Sequence, residues 1–437
     1  MEEEKPKAPY RLMTVDPGHF HAGLIQKTHL KDLDSIAYVF APEGPDVQDH
    51  LNRIESYNTR SDNPTHWVEE VYIGADFFEK MLEDRPGNIM LVAGSNARKT
   101  QFIKKAVEVG INVLADKPMA INSQDFELLK EAFEIAGQNK VMLYDIMTER
   151  FEVTIFIQRM LSQMPDLFGE LEQGTIDHPA ITKESVHHFF KYVSDKPLKR
   201  PAWFFDVTQQ GEGLVDVMVH LLDMIQWECY PEQIIDYEKD IEVLKAKSWA
   251  TELTPSMFER ITLLKEYPDY LSKDIIKDSV LNVFSNGEIN YTLKGTHAKT
   301  SVIWNYEAPE GAKDTHYSIM RGTKANLIIK QGKEEDYKAT LYVERAGDGS
   351  KEAFLASVTQ AIDNLQSTHP GITMEQDGAM VQIIIPNEYK VGHEAHFNQV
   401  ATKYLNYLKA GEMPDWEVPN ILAKYYTSTK AYAMSRK

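Results

Sequence analysis

The chain has 437 residues, 47 Lys plus Arg against 66 Asp plus Glu, a formal net charge of −19 and one cysteine, Cys229. That length accommodates two or three domains, each able to bury a core without disulfide staples. The acidic balance argues against a nucleic-acid partner, the lone cysteine excludes a disulfide framework or a Cys-rich zinc module, and no apolar run reaches the roughly 18–20 residues of a membrane helix.

Residues 1–9 (MEEEKPKAP) are charged and lack an apolar h-region, so they read as a disordered tether and not as a signal peptide. The compartment stays open: cytoplasmic if this is the natural start, periplasmic or lipid-anchored if a leader was removed. Short apolar runs then alternate with amphipathic segments. Strands are expected at Arg11–Val15, Ile36–Phe40, Val71–Ile73, Asn88–Ala93, Ile111–Ala115 and Val141–Asp145. Helices are expected at Phe20–Lys31, Asp76–Glu83, Lys99–Val109 and from a Ser123 cap to about Ala136. This alternation predicts βαβ units and a doubly wound parallel sheet, the dinucleotide-binding architecture, over residues 10–150. Pro42–Val68 reads as a long polar insertion.

Residues 151–437 read as an α+β domain with a large, mostly antiparallel open sheet. Helices are expected at Val153–Met160, Gly213–Trp227, Met257–Leu264, Glu352–Leu365, His396–Leu408 and from Pro419 to the end. Strands are expected at Glu170–Asp177 and Val186–Lys191, then as a series of runs from Ser279 to Arg345. Turn signals at Asn286–Gly287, Gly295, Pro309–Gly311 and Gly322 separate that series.

Three places could carry chemistry. The turn after the first strand, VDPGHFHAG (Val15–Gly23), sits where the ligand crevice of such a sheet opens. Asp16, Gly18 and His21 occupy the three slots of a GxGxxG turn, so only one glycine is kept; an ordinary tight turn is the alternative. In LADKPMAI (Leu114–Ile121), Pro118 disfavours helical geometry at Lys117. Lys117 thus leaves the carboxyl end of a strand, either over the crevice or as a solvated surface lysine. In GEGLVDVMVHLLDMIQW (Gly211–Trp227), Asp216, His220, Asp223 and Gln226 are spaced +4, +3, +3, one stripe of an otherwise apolar helix. That stripe is a site or a narrow solvent-facing strip. His187 and His188 alternate faces on a strand, and HEAH (His393–His396) lacks a locatable third ligand, so no metal is expected.

Taken together these residues resemble the Gfo/Idh/MocA (glucose–fructose oxidoreductase/inositol dehydrogenase) family. AGSN (Ala93–Asn96) followed by GINVLADKPMAI, GEGLVDVMVHLLD, TERF (Thr148–Phe151) and the closing HFNQVATKYLNYLKAGEMPDW carry the likeness in order along most of the chain. TVDPGHFHAGLIQ and RPAWFFD resemble a subgroup with an atypical first turn and its own type of C-terminal domain. The resemblance implies a Rossmann domain that binds NAD, with NADP left open, and hydride transfer to or from a secondary alcohol of a sugar, cyclitol or related polyol. It implies Lys117, Asp216 and His220 as catalytic residues. It implies Asp16, Gly18, His19, His21, Glu43, Gly94, Ser95, Asn96, Asp116 and Lys117 as cofactor-binding residues. After the second strand, where the family keeps its ribose-binding acid, FAPEGPD places Ala41 and Pro42, with Glu43 and Asp46 following, and no arginine stands nearby in sequence to meet a 2′-phosphate. A homo-oligomer, dimer or tetramer, is expected. The alternatives are a redox-neutral, NAD-dependent glycoside-cleaving enzyme that retains its cofactor, and a non-catalytic dinucleotide-binding regulatory protein.

Overall fold

The computed structural model describes residues 8–437 apart from 194–195, 278 and 348, so the expected tether lies almost wholly outside the described residues. The chain divides into two compact units. The first holds the described residues up to Thr148, with Thr208–Gln210 and His393–Pro414. The second holds Glu149–Val207, Gly211–Gly392 and Asp415–Lys437.

In the first unit, β1 (Leu12–Val15), β2 (Ile36–Ala41), β3 (Val68–Ile73), β4 (Ile89–Val92), β5 (Asn112–Asp116) and β6 (Leu143–Ile146) form a parallel sheet. Among the described residues its order is β3-β2-β1-β4-β5-β6. This is the doubly wound order, with its switch point between β1 and β4. LMTV of β1 and IMLV of β4 are buried throughout, as strands covered on both faces must be. The crossover helices are α1 (His21–Leu24), α2 (Pro45–Thr59), α3 (Phe77–Asp84), α4 (Lys99–Glu108) and α5 (Ser123–Asn139).

Three local expectations are corrected here. The supposed insertion is an ordinary crossover built on α2, started by Pro45 at its first turn. The helix expected over Phe20–Lys31 is one turn, α1, because Gly23 gives little helical support and lets the Arg53 side chain come within 2.7 Å of where a Cβ would stand. The α5 cap is Asn122, whose side chain accepts from Asp125 N, and not Ser123. The helix His393–Ala410, which the sequence reading counts with the second domain, belongs to the first unit. Its Phe397 packs 4.6 Å from the His21 ring, and its Tyr404 stacks on Tyr144 of β6.

In the second unit, α6 (Val153–Ser162) and β7 (Ile181–Phe190) precede α7 (Met218–Cys229). β8 (Ile241–Leu253), β9 (Val280–Leu293), β10 (Thr296–Glu307), β11 (Thr315–Arg321), β12 (Ala325–Gln331) and β13 (Thr340–Arg345) follow. The chain ends through α8 (Lys351–Leu365), β14 (Thr373–Asp377), β15 (Met380–Ile384) and α9 (Glu417–Ser435). Among the described residues the sheet runs β8-β9-β10-β7-β11-β12-β13-β15-β14, antiparallel except for the parallel pair β7–β10. Helix α7 packs against both α6 and α9, and all three pack on this sheet. β8, β14 and β15 were not foreseen. Glu170–Asp177 is not a strand: Gly174, at φ +63°, turns the chain back onto Pro179. Asn286–Gly287 is no turn but lies inside the β8–β9 ladder. There the Asn286 amide donates to Trp249 O and Thr251 Oγ1 and accepts from Trp304 N, so the pair is consumed by its neighbours. No helix among the described residues is long and apolar enough to cross a membrane.

Buried charges tie this unit together. Arg150 donates to both Asp223 oxygens, at 2.7 and 2.8 Å, and to Glu417; Lys424 of α9 donates to Asp223 at 2.8 Å. Lys183 of β7, fully buried, donates to both Glu228 oxygens and to Ser318. Burial pushes the Asp223 carboxyl up, but Arg150 and Lys424 outweigh it and hold the group well below the ordinary carboxylate range. Its folded pKa is depressed, so the stabilisation is complete above the ordinary value of about 4 and is lost as pH falls towards the folded value. We predict that Asp223→Asn costs about 3–5 kcal/mol in urea unfolding at neutral pH, since it leaves two buried cations short of a counter-charge. The gap between Asp223→Asn and the parent narrows below pH ~4.

Candidate active site

In the first unit the candidate residues gather at the carboxyl end of the sheet. Asp16 stands at φ +48°, a left-handed conformation that Asp tolerates better than most residues, so it fills the first glycine slot without a glycine. Its N–H donates to Phe40 O of β2, Gly18 N donates back to Asp16 O, and His19 N donates to Ala93 O after β4. Gly94 meets this turn backbone to backbone: a Cβ there would stand 2.0 Å from Asp16 O. The close approach that the usual glycine fingerprint provides is thus supplied partly from the β4 end. Gly18 and Gly94 meet at the switch point, where a doubly wound sheet binds its ligand, and in this respect the residues fit the group. Asp16 is the awkward member, for burial pushes its carboxyl up to about 6, opposed by Arg98 and reinforced by Asp46.

The remaining cofactor candidates separate. Asn96 is buried and occupied: its N–H and Nδ2 donate to Gln209 O and Gln210 O, both at 2.7 Å, and Lys99 donates to its Oδ1. Ser95 is half-buried, its Oγ accepting from Ala97 N, and Glu43 is exposed in the loop after β2. The sequence reading found no arginine near the dinucleotide end; Arg98, before α4, acts on Asp16 while stacking over Phe77 and Phe102. A residue 82 positions away from Asp16 in the chain leaves no trace in local spacing.

A second group forms below the first turn. His21 Nδ1 lies 2.9 Å and His19 Nδ1 3.8 Å from Asp116 Oδ2, at the end of β5. Lys99, 1% exposed, donates to Asp116 O at 3.0 Å. His393 has its ring centre 6.1 Å from that of His21. Burial pushes His393 down to about 3, with His21, His396 and Lys117 adding to it, so its imidazole is neutral at pH 7. Lys117 follows Asp116, is half-buried, and forms a cis bond to Pro118. Sequence reasoning named His19, His21 and Asp116 separately but missed Lys99 and the arrival of His393. Only the HxH spacing hinted at a cluster.

In the second unit, Gly211 stands at φ +95° and Gly213 presses on β9, where a Cβ would lie 2.2 Å from Ser285 O. Gly287 returns the favour, since a Cβ on it would lie 2.7 Å from Leu214. This interlock holds the 211–217 turn against the sheet. The regular helix begins only at Met218, so Asp216 belongs to the turn and His220 to the first turn of α7. The expected stripe is therefore split. Asp223 is consumed by Arg150 and Lys424, whereas Asp216 is buried and His220 half-buried at the helix start. None of the four is a solvent-facing strip.

Asp216 shares this region with Arg200, which sequence reading did not single out. Arg200 donates to Phe189 O and His188 O and is stacked by Phe204 and Trp304. Burial pushes it down to about 10, opposed by Asp314 and Asp216. His188 Nδ1 reaches Asp314 at 2.9 Å and His187 Nδ1 at 3.5 Å, so neighbours on one strand do meet one carboxylate. The arginine in RPAWFF, beside three aromatic residues, was the available signal.

The pyrophosphate of a dinucleotide brings negative charge to the end of the sheet where Asp16 is only weakly acidic. We predict that NAD affinity rises as pH falls through about 6, as Asp16 loses its charge. Asp16→Asn removes that pH dependence and tightens binding at pH 8 by about fivefold, roughly the 1 kcal/mol of two unit charges 4 Å apart in water. Titration of intrinsic fluorescence at several pH values checks both.

Comparison with known proteins agrees with this architecture. Residues 20–144 match the "Oxidoreductase family, NAD-binding Rossmann fold" model (GFO_IDH_MocA), and residues 157–436 match the "Putative oxidoreductase C terminal domain" model. A "putative oxidoreductase" from Parabacteroides merdae is 52% identical, covers 98% of each chain and superposes with a TM-score of 0.97. A second, from Thermotoga maritima, shares the fold at 11% identity and TM-score 0.62, covering 98% of both chains. A levoglucosan dehydrogenase in complex with NADH and levoglucosan shares it at 10% identity and TM-score 0.61, over 98% of this chain and 97% of that one. No curated protein matches the chain. With both of its units matched and a relative alike over nearly its whole length, the chain belongs to the Gfo/Idh/MocA oxidoreductase family and carries that family's NAD(P)-binding Rossmann domain.

Proposed function

We propose that this protein is an NAD(P)-dependent dehydrogenase or reductase acting on a secondary alcohol of a sugar, cyclitol or related polyol, with Lys117, Asp216 and His220 as its catalytic residues. The observation that carries the reading is Lys117, half-buried directly after β5, at the carboxyl end of a doubly wound sheet where ligands bind. The buried Asp216 and the half-buried His220, on a turn locked to its sheet by paired glycines, support the assignment from the second unit. The fold shared with a levoglucosan dehydrogenase favours a carbohydrate substrate over other alcohols.

The dinucleotide, when bound, accepts or supplies the hydride. The protein's part is to manage the proton and the charge on oxygen. His220 takes the hydroxyl proton during oxidation and returns it during reduction, a task suited to an imidazole near neutral pH. Asp216 orients the ring and stabilises its protonated form. The Lys117 ammonium stabilises the alkoxide that develops as the carbinol hydrogen leaves.

Purified full-length protein is assayed with NAD or NADP against a panel of sugars and polyols, following NADH absorbance. With a substrate in hand, Lys117→Ala and His220→Ala are expected to lower kcat by about 10²–10⁴ while changing dinucleotide affinity only a few-fold. Normal turnover by both variants would remove the assignment. Glycoside cleavage without net change in NADH would select the redox-neutral alternative, and failure of the folded protein to bind either dinucleotide would select the regulatory one. Native mass spectrometry of the same preparation reads the expected homo-oligomer.

A further inference from the structure

The cluster beneath the first turn has no part in the proton chemistry assigned above. We propose that His19, His21 and Asp116 form a binding site for a divalent transition metal of the zinc type, held by two imidazoles and one carboxylate oxygen.

The ligand atoms come from separate parts of the first unit, the histidines from the turn after β1 and the aspartate from the end of β5. One ligand atom from each lies within 4.8 Å of the others. The distances of Asp116 Oδ2 from the His21 and His19 Nδ1 atoms, 2.9 and 3.8 Å, bracket the ~3.3 Å edge of a tetrahedron with metal–ligand bonds of 2.0–2.1 Å. His19 Nδ1 here accepts from His21 N at 3.3 Å, so that ring must turn to bind a metal. Among the described residues, no other three His, Cys, Asp or Glu side chains meet that closeness.

A second observation is independent of these distances. Asp116 is 3% exposed, yet its Oδ1 accepts no hydrogen bond. Buried carboxylate oxygens are ordinarily satisfied, and such an orphan calls for a partner the protein does not itself provide. A cation on this carboxylate, with Oδ2 as its ligand and Oδ1 turned towards it, is such a partner. The Lys99 charge also acts on this carboxylate, and its ammonium donates to the Asp116 carbonyl and to Asn96, while Oδ1 itself stays without a hydrogen bond.

Ligand chemistry selects the metal. Two imidazoles and one carboxylate suit zinc, cobalt or nickel and disfavour magnesium and calcium, which want mostly oxygen. Three protein ligands leave a coordination position for water or a small anion, the pattern of open sites. A metal there would clamp the turn carrying Gly18 to the strand end that precedes Lys117. The sequence reading, which expected no metal, sought a third ligand for His393 and His396 and assigned His19 and His21 to the cofactor.

The test uses the full chain, stripped with a chelator, dialysed and titrated with cobalt(II) and then with zinc. One cobalt per chain is expected, with the visible ligand-field bands of a four- or five-coordinate site, displaced by zinc. His21→Ala and His19→Gln are each expected to weaken binding at least about a hundredfold, a first ligand counting for more than the outer partners whose loss costs 10–100-fold. His50→Ala, a buried imidazole outside the cluster, is expected to leave affinity unchanged, and circular dichroism confirms that each variant is folded. An octahedral, aquo-like cobalt spectrum with folded parent protein overturns the proposal even if the variants fail to fold. Affinity unchanged in both cluster variants overturns it as well. NAD titration of the metal-free protein is read separately, so loss of the metal site and loss of the dehydrogenase reading remain distinct results.

Discussion

A single buried carboxylate sets the orientation of the helix that carries the second unit's candidate residues. Asp223 is 1% exposed and keeps its charge because Arg150 grips it with two hydrogen bonds and Lys424 adds a third. An unpaired charge at that depth would cost several kcal/mol, more than apolar repacking at one position can return. Helix α7 must therefore face Asp223 towards Arg150 and α9. Five residues on, Glu228 accepts two hydrogen bonds from Lys183 of β7, although there burial outweighs the cation and pushes the carboxyl up. Pinned at two points by cations from three separate segments, α7 has no freedom to rotate about its axis. The turn that precedes it, with Asp216, inherits that fixed orientation.

The glycines complete the placement. Gly213 and Gly287 let the 211–217 turn and β9 approach more closely than any Cβ would permit. Electrostatics thus sets the helix rotation, and steric absence sets the depth of its leading turn. The residues between them are left with little conformational choice, which is the condition under which an imidazole and a carboxylate hold a working geometry without a ligand to organise them.

The first unit solves a different problem. A parallel sheet covered on both faces presents only its strand ends to ligands, so the turns at the carboxyl end carry the chemistry. Here the turn after β1 substitutes Asp16 in a left-handed conformation for a glycine and draws its close approach from Gly94 instead. The third glycine slot holds His21, which with His19 turns towards Asp116 at the end of β5. The family's dinucleotide fold is kept, while the polar lining next to it becomes an imidazole–carboxylate cluster.

Periodicity alone determined the βαβ alternation, the six parallel strands and the change to consecutive strands in the second half, because burial on both faces or one writes itself into nearby residues. Strand-end position and helical spacing singled out Lys117, Asp216 and His220 as candidates, and the motif resemblance implied roles for them. What stayed hidden depended on residues distant in the chain. Asn286–Gly287 spells a turn but forms part of a ladder, since Trp249, Thr251 and Trp304 use the asparagine amide and Leu214 fills the space above the glycine. Asp223 and Asp216 belong to one spacing pattern, but that pattern does not announce that Arg150 and Lys424, from other elements, grip the first. His19, His21 and Asp116 become neighbours only when β1 and β5 lie in the same sheet, 95 positions separating His21 from Asp116. Local pattern encodes which face of an element is buried; which partners await it there is settled by the packing of elements far apart in sequence.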